Sequence, residues 1–519
     1  MTVRNPLLPG MYPDPSVCQV GDVTYLVNST FTWLPGLPIH ASRDLESWEL
    51  VGHALVDEAT LDFASAKDSE GIFAPTLRHI GGRFVLVCTM VTGPISRSFI
   101  MTAPEASGPW STPKILDGAG GIDPDVFEDA DGTVWWTGTR LAHTPLWEQQ
   151  TEIWTRPVDL DNAVFTGPET VIWHGAVEGA VWSEGPHLYR VGDWYYLLTA
   201  EGGTAEEHSV SIARSREVTG PWHGCKRNPI FTHRNLGRHS EVHNVGHADL
   251  FCRPDGSWWA VMLGVRLRDN RHLLGRETFL CPVTWEDGWP VFAPGVGHLP
   301  EFIDTTAGLP GETRSLTSAS AGVIRQERPG IITDTDIAEF RASALRPAGR
   351  DWYEDEAATF RGVRVASWDA SISIAWEALT QGNITALGMI QDSDNWIRLR
   401  LGDEPNEVLV ELHRAGQMER VSLGQQLRGM GDHATRSEEG AASSSSMGTA
   451  EKHRLWIRLN DLGILVGVGE KDGDGHSYSV DAAWLSTEEA GGFTGCLVGT
   501  WGGEQTPAGA GTIRLSGVN

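Results

Sequence analysis

Five times in the first 265 residues an apolar stretch runs into a Gly/Asp turn and out again into an aromatic-rich strand. The turn-strand units are Gly21-Asp-Val-Thr-Tyr-Leu, Gly81-Gly-Arg-Phe-Val-Leu, Asp131-Gly-Thr-Val-Trp-Trp, Gly192-Asp-Trp-Tyr-Tyr-Leu and Asp255-Gly-Ser-Trp-Trp-Ala, at intervals of 60, 50, 61 and 63 residues. Self-similarity at this period, in units made of strands, predicts propeller blades. A second echo keeps the same period. Trp48, Trp110 and Trp222 fall 27, 29 and 30 residues after their turns, each closing a short polar segment (Ser42-Arg-Asp-Leu-Glu-Ser-Trp48, Ser107-Gly-Pro-Trp110, Thr219-Gly-Pro-Trp222). These read as one outer-strand turn used in three blades. No long helix is predicted in this half.

Beyond residue 305 the pattern changes. Residues 306–330 are rich in Gly, Ser, Thr and Pro without a strong period and read as a connection. Ser371–Trp376, Trp396–Leu401, Glu407–Leu412, Arg454–Leu459 and Gly463–Val468 then alternate apolar and polar with period two. That is the pattern of half-buried strands in a sandwich. Residues 431–453 are polar and of low complexity, and a mobile loop is expected there. The fold class expected is all-β: a five-bladed β-propeller over residues 1–305, a connection over 306–330 and a lectin-like β-sandwich over 331–519.

Composition narrows the function. The 519 residues carry 40 basic and 68 acidic side chains, a net charge of −28. That excess argues against nucleic acid or an anionic membrane as partner, since either calls for a basic patch. No apolar run of about 20 residues predicts a membrane span. The N-terminus (Met1-Thr-Val-Arg-Asn-Pro) lacks the apolar core of a signal peptide, so a cytoplasmic location is expected, with a substrate small enough to import. The six cysteines form no CxxC or zinc-like cluster and read as buried reduced thiols. Of the 22 tryptophans, 15 lie in the first 310 residues. Blade cores account for many, and the remainder suit stacking on sugar rings. Homo-oligomerisation is left open.

The repeat puts chemistry in phase. Seven or eight positions before the five turns stand Asp14, Ala74, Asp123, Glu184 and His247. Equivalent positions in different blades converge on one axis. Apolar blade interiors do not tolerate unpaired acids, so three acids at one phase predict a shared polar cavity. Asp14, in Tyr12-Pro-Asp-Pro-Ser16, stands between two prolines that restrict its backbone. Asp123 also precedes a proline, in Gly121-Ile-Asp-Pro-Asp125. Glu184 lies beside Trp182 and a Gly-Pro turn, an apolar setting that raises a carboxyl pKa as a general acid requires. His247, in Gly246-His-Ala-Asp249, shares the phase and could hold a water or cation near the acids. Arg276, in Leu274-Gly-Arg-Glu-Thr278, is the cation expected to keep Asp14 ionised. Two carboxyls across a sugar are the minimum for glycoside hydrolysis. Signatures of serine hydrolases, P-loops, dinucleotide folds and zincins are missing. No redox or organic cofactor is called for, and a structural calcium near His247 is left open.

At these residues the chain resembles the family 43 glycoside hydrolases, which are five-bladed propellers. Asn5-Pro-Leu-Leu-Pro-Gly-Met-Tyr-Pro-Asp-Pro-Ser16, Gly121-Ile-Asp-Pro124 and Glu184-Gly-Pro-His187 are similar to the three motifs of that family, in order. The resemblance implies that Asp14 is the general base, Asp123 the residue that orients the acid and tunes its pKa, and Glu184 the general acid. It also implies inversion at the anomeric carbon, with the two catalytic carboxyls about 6.5–9.5 Å apart to admit a water. Phe31-Thr-Trp-Leu-Pro-Gly-Leu-Pro-Ile-His40, Gly71-Ile-Phe-Ala-Pro75, His208-Ser-Val-Ser-Ile-Ala-Arg-Ser215, Gly246-His247 and Gly275-Arg-Glu-Thr278 resemble the branch of β-xylosidases and α-L-arabinofuranosidases with a C-terminal β-sandwich. In that branch Phe31, Phe73, His247 and Arg276 would line the pocket for the terminal sugar, and the sandwich would help wall it. Many of its β-xylosidases carry Trp where this chain has Phe73, which leaves the choice of pentose open.

The expected activity is exo-acting, inverting hydrolysis that releases terminal β-D-xylose or α-L-arabinofuranose from xylo- and arabinoxylo-oligosaccharides. The rivals are an endo-arabinanase, which needs an open groove, and a catalytically silent sugar-binding propeller, which would not need all three acids. A fructan- or sucrose-cleaving propeller would open with an Asn-Asp-Pro-Asn-Gly type of motif, absent here.

Overall fold

The computed structural model describes residues 2–237, 239–305, 333–348, 360–381, 383–404, 407–423, 453–469, 475–503 and 511–519. The expected connection at 306–330 and all but the last residue of the expected loop at 431–453 lie outside these. The chain divides into two compact units, Met1–Leu267 with Arg276–Leu316 and Arg268–Gly275 with Thr317–Asn519.

The first unit is a ring of five antiparallel sheets, each led by an axial strand. Blade one comprises Ser16–Val20, Val23–Val27, Gly36–Ser42 and Glu49–Leu55. Blade two is led by Thr76–Ile80, with Arg83–Thr92, Ile95–Ala103 and Lys114–Ile115. Blade three begins with Ile122–Glu128, Val134–Leu141 and Thr151–Asp159, and blade four with Glu184–Val191, Trp194–Glu201 and Ser209–Ser215. Blade five holds Val242–Cys252, Trp258–Arg266, Glu277–Glu286 and Trp289–Phe292.

Each Gly/Asp turn read from the sequence joins an axial strand to the second strand of its blade. The three outer turns share one hydrogen bond. The indole N–H groups of Trp48, Trp110 and Trp222 donate to the carbonyls of Leu45, Ala106 and Val218 at 3.0, 3.1 and 3.1 Å. The ring closes where Thr2–Arg4 pairs antiparallel with Phe302–Asp304. The Asn5 amide then docks on blade five, donating to the carbonyls of Leu280 and Pro300 and accepting from Leu280 N–H, all at 2.9 Å. Val3, Leu8, Tyr12, Val17 and Leu26 pack there against Phe251, Trp259, Leu280 and Ile303. Burying these side chains drives the closure, at roughly 25 cal/mol per Å² of apolar surface.

The second unit is a sandwich of two six-stranded sheets. In one, Asp369–Ala375, Arg454–Asn460 and Gly463–Gly469 lie side by side. In the other, Leu497–Gly502, Ile384–Asp392, Asn395–Leu401 and Val408–Arg414 do so. Ile372, Ile374, Leu455, Ile457 and Val466 from the first sheet join Leu387, Met389, Ile397, Leu399, Val410 and Val498 from the second in one core. The division of the chain is not linear. Arg268–Gly275, between two strands of blade five, groups with the sandwich. Leu273 and Leu274 are buried in that core, and His272 Nδ1 lies 2.7 Å from Glu488. Among the described residues no helix is long and apolar enough to cross a membrane.

Candidate active site

The predicted acids stand on the axial strands or, for Asp14, two residues before one, and the backbone turns left-handed at two of them and at His247. Asp14, Asp123 and His247 have φ of +50°, +52° and +49°. This left-handed conformation is uncommon for residues other than glycine and clusters at functional sites. Register shifts interrupt the ladders between Ile122 and Asp125, between Glu184 and His187, and between His243 and Asp249. Such bulges re-aim side chains at the rims of sheets. Gly185 leaves room for the His247 ring. Its φ is +55°, and a Cβ there would stand 3.0 Å from the His247 ring.

Asp14 is buried and gripped. Arg276 Nη1 donates to its Oδ1 at 2.6 Å, Arg276 Nη2 lies 3.4 Å from its Oδ2, and the Ser29 hydroxyl donates to Oδ2 at 2.7 Å. Burial pushes its carboxyl up, but Arg276, the His247 imidazole and the Ser29 hydroxyl outweigh that, and the net shift is downward. Burial also pushes His247 down to about 4, so at neutral pH the imidazole is uncharged and Arg276 is the cation that holds Asp14 ionised.

Glu184 is the opposite case. It is 9% exposed. Burial, then the charges of Asp123 and Asp14, push its carboxyl well above the usual range, with Arg276 opposing. Asp123 is pushed up to about 7 by burial and by Asp14. It accepts the Gly185 N–H at 3.1 Å, which ties it to the residue that follows Glu184. One buried cluster therefore holds a carboxyl shifted down, Asp14, beside two shifted up, Asp123 and Glu184.

Phe31 and Phe73 form part of the same neighbourhood. Phe31 is 1% exposed with φ +51°, and its ring meets Phe73 edge-on at 5.7 Å. The Arg276 guanidinium lies over the Phe31 ring at 5.6 Å, a cation–π contact. Gly71 permits the approach of the second blade to Phe31. Its φ is +93°, and a Cβ there would stand 2.5 Å from the Phe31 carbonyl.

His208 and Ser29 were not singled out from the sequence. The His208 ring packs on Gly246, whose Cβ would stand 2.5 Å from Nε2. Its Nδ1 lies 2.9 Å from the Asn244 carbonyl, and burial pushes it down to about 3. Calcium takes six to eight oxygen ligands. Beside His247 the ionisable groups are Asp14, which Arg276 already holds, His187, Arg276 itself and Asp249. Among the described residues no group of three or more His, Cys, Asp or Glu side chains could hold a metal. The carboxylates beside His247 are each held by an arginine, Asp14 by Arg276 and Asp249 by Arg78, and no step of the reaction is assigned to a metal.

The sequence profile of the glycosyl hydrolases family 43 matches residues 3–290, the whole of the five-bladed ring up to its last strand. The chain belongs to this family. It is therefore a glycoside hydrolase. A "xylosidase/arabinosidase" of Butyrivibrio fibrisolvens is 36% identical over 520 residues, covering 96% of this chain and 95% of that one. A "non-reducing end alpha-L-arabinofuranosidase" of Bacteroides ovatus is 41% identical over 293 residues, covering 56% of this chain and 53% of its own length. Among solved structures, a Bacteroides ovatus xyloglucan PUL GH43B superposes with a TM-score of 0.74 at 26% identity, over 99% of this chain and 98% of that one. The likeness of this family 43 member to its relatives thus includes the sandwich as well as the propeller.

Proposed function

We propose that the protein is an exo-acting, inverting hydrolase that removes terminal β-D-xylose or α-L-arabinofuranose from xylo- and arabinoxylo-oligosaccharides. The observation that carries this reading is the divergence of two carboxyls in one cavity, Asp14 held low by Arg276 and Glu184 pushed high by burial and its acidic neighbours. Pairs of titratable groups driven apart in this way mark the base and the acid. Relatives named for both xylosidase and arabinosidase activity support the pentose assignment.

In the proposed reaction Asp14 takes a proton from a water as the water's oxygen bonds to the anomeric carbon. The glycosidic carbon–oxygen bond breaks on the opposite face, and the leaving oxygen takes the Glu184 proton. Asp123, when ionised, raises the Glu184 pKa, and through Gly185 it orients the acid's backbone. Asp14 and Arg276 cancel in charge and Glu184 is neutral, which suits an uncharged sugar. Phe31, Phe73, His247 and Arg276 would line the subsite for the terminal pentose.

The test is hydrolysis of nitrophenyl β-D-xyloside and α-L-arabinofuranoside, with Glu184→Ala as control, followed by product analysis on arabinoxylo-oligosaccharides. Release of monosaccharide alone, lost in the variant, is expected. Release of oligomers would favour endo attack. Silence on both substrates, unchanged by the substitution, would sink the reading.

A further inference from the structure

A second tier of polar side chains crosses the propeller axis just beyond the catalytic ones. At its centre is Arg78, on the axial strand of blade two. Its Nη2 donates to Asp125 Oδ1 of blade three at 2.8 Å, and its Nη1 donates to Asp249 Oδ2 of blade five at 2.8 Å. Nη2 also lies 3.0 Å from His187 Nδ1 of blade four, and Nη1 donates to the Val17 carbonyl of blade one at 3.2 Å. A guanidinium only donates, so His187 Nδ1 is the acceptor in that contact. All five blades thus touch one cation. Both carboxylates are fully shielded, and the Arg78 side chain keeps 16% of its exposure.

Around this centre the blades are pinned to one another in sequence. Leu77 N–H donates to Ser16 Oγ at 3.1 Å, joining blade two to blade one. Arg78 joins blade two to blade three, and Leu188 N–H donates to Asp125 Oδ2 at 2.9 Å, joining three to four. Leu250 N–H donates to the Tyr189 hydroxyl at 2.9 Å, joining four to five, and that hydroxyl donates to Asp249 Oδ1 at 2.6 Å. Val17 N–H and Ser16 Oγ donate to Asp249 Oδ2 at 3.0 and 2.8 Å, joining five to one. The pins stand close to the catalytic side chains in sequence. Ser16, Asp125 and Asp249 are two residues beyond Asp14, Asp123 and His247, and Leu188 is four beyond Glu184.

In blades three, four and five the register shifts fall at the catalytic residues, so the ladder does not carry an unbroken register up to the pins. We propose that Arg78 is a positioning residue for hydrolysis, holding the axial strands in the register that spaces Asp14, Asp123 and Glu184. The physical ground is charge. One guanidinium offsets two buried carboxylates, and without it both lose their shared cation, including the one that helps hold the Asp249 carboxyl low. A carboxylate that moves in response takes its backbone hydrogen bond with it, from Leu188 at Asp125 or from Val17 at Asp249. The other titratable groups facing Arg78 are His187, Tyr189 and Cys18. Burial pushes the Tyr189 hydroxyl well up and the Cys18 thiol up to about 12.

The proposal rests on the catalytic reading above, and its test separates the two. Steady-state kinetics on a nitrophenyl pentoside, over a range of pH, compare wild type, Arg78→Met, Arg78→Lys and the double variant Arg78→Met/Asp249→Asn. Displacement of catalytic groups by about 1 Å costs on the order of 10²-fold. Arg78→Met is therefore expected to lower kcat by about 10- to 100-fold with KM nearly unchanged, and to add an ionisation to the pH profile from the uncompensated carboxylates. Arg78→Lys should recover part of kcat, and the double variant should lose the added ionisation. Wild-type kcat and pH limbs in Arg78→Met, whatever its melting temperature, would overturn the proposal and leave Arg78 a fold-closing residue only. Should Arg78→Met fail to fold, Tyr189→Phe decides. It removes one pin and keeps the cation, and an unchanged kcat and profile would count against the proposal. Activity surviving in Glu184→Gln would instead defeat the catalytic reading.

Discussion

Glu184 on the propeller axis and Glu411 in the sandwich are both buried glutamates, and the structure treats them oppositely. Glu411 is fully shielded and receives three guanidinium groups, from Arg398, Arg400 and Arg420 at 2.7, 2.9 and 2.8 Å. Burial pushes its carboxyl up, but the arginines more than offset this and the net shift is downward. Glu184 has two acids for neighbours, and the nearby Arg276 is engaged by Asp14. Its shift is upward. Burial alone therefore does not make a general acid. What raises a carboxyl as the proposed general acid requires is burial with the compensating cation withheld. The sandwich spends three cations on one acid, whereas the axial cluster shares Arg276 among three.

Replacing each glutamate sharpens this contrast most. Glu184→Ala should lower kcat by about 10²–10⁴-fold, the usual contribution of a general acid. The loss should be greatest for leaving groups of high pKa, a dependence read from a series of aryl pentosides. Glu411→Gln should leave kcat per folded enzyme unchanged while costing about 3 kcal/mol of stability, because three cations lose their shared carboxylate. Denaturant midpoints measure it.

Arg276→Met breaks the contrast inside the cavity by removing the cation from Asp14. The Asp14 pKa then rises, and the acid limb of the kcat/KM profile should move to higher pH. A fall of about 10²-fold at the optimum is expected from the loss of a charged, preorganised contact. Asp123→Asn removes a negative charge from beside Glu184. The Glu184 pKa should fall and the alkaline limb move to lower pH, with a loss of about 10²-fold or less in kcat.

The smallest expected effect lies in stability against pH. Glu184 binds its proton more tightly in the folded chain than in the unfolded one. Its contribution is complete below the unfolded value of about 4.3 and is lost as pH rises through the raised folded value. Glu411 runs the other way, its contribution complete above about 4.3 and lost as pH falls. Glu184→Gln should therefore raise the melting temperature slightly at neutral pH, and Glu411→Gln should lower it most there. Parallel shifts in the two variants would contradict the account.

Much of this was legible in the chain. A turn and the strand it opens are neighbours in sequence, so the blade period shows as repeated Gly/Asp-aromatic units. The repeat alone then sets Asp14, Asp123 and Glu184 at one phase, and equivalent phases meet on one axis. The sandwich strands are legible for the same reason, since alternation along a strand reports which side is buried. Arg78 had no such signal by itself, being a single basic residue in Thr76-Leu-Arg-His-Ile80. The clue lay in Asp125 and Asp249, two residues beyond Asp123 and His247 and equally in phase, two acids that required a cation.

Tertiary structure alone decided which cation serves which acid. Arg276 reaches Asp14 across 262 residues, and Arg78 reaches Asp249 across 171. It also decided that Arg268–Gly275, drawn from within blade five, belongs with the sandwich. Local pattern determines strands, turns and phase because these depend on near neighbours along the chain. Charge pairing and the pKa values that follow from it depend on distance through a desolvated interior, and that distance exists only once the ring has closed.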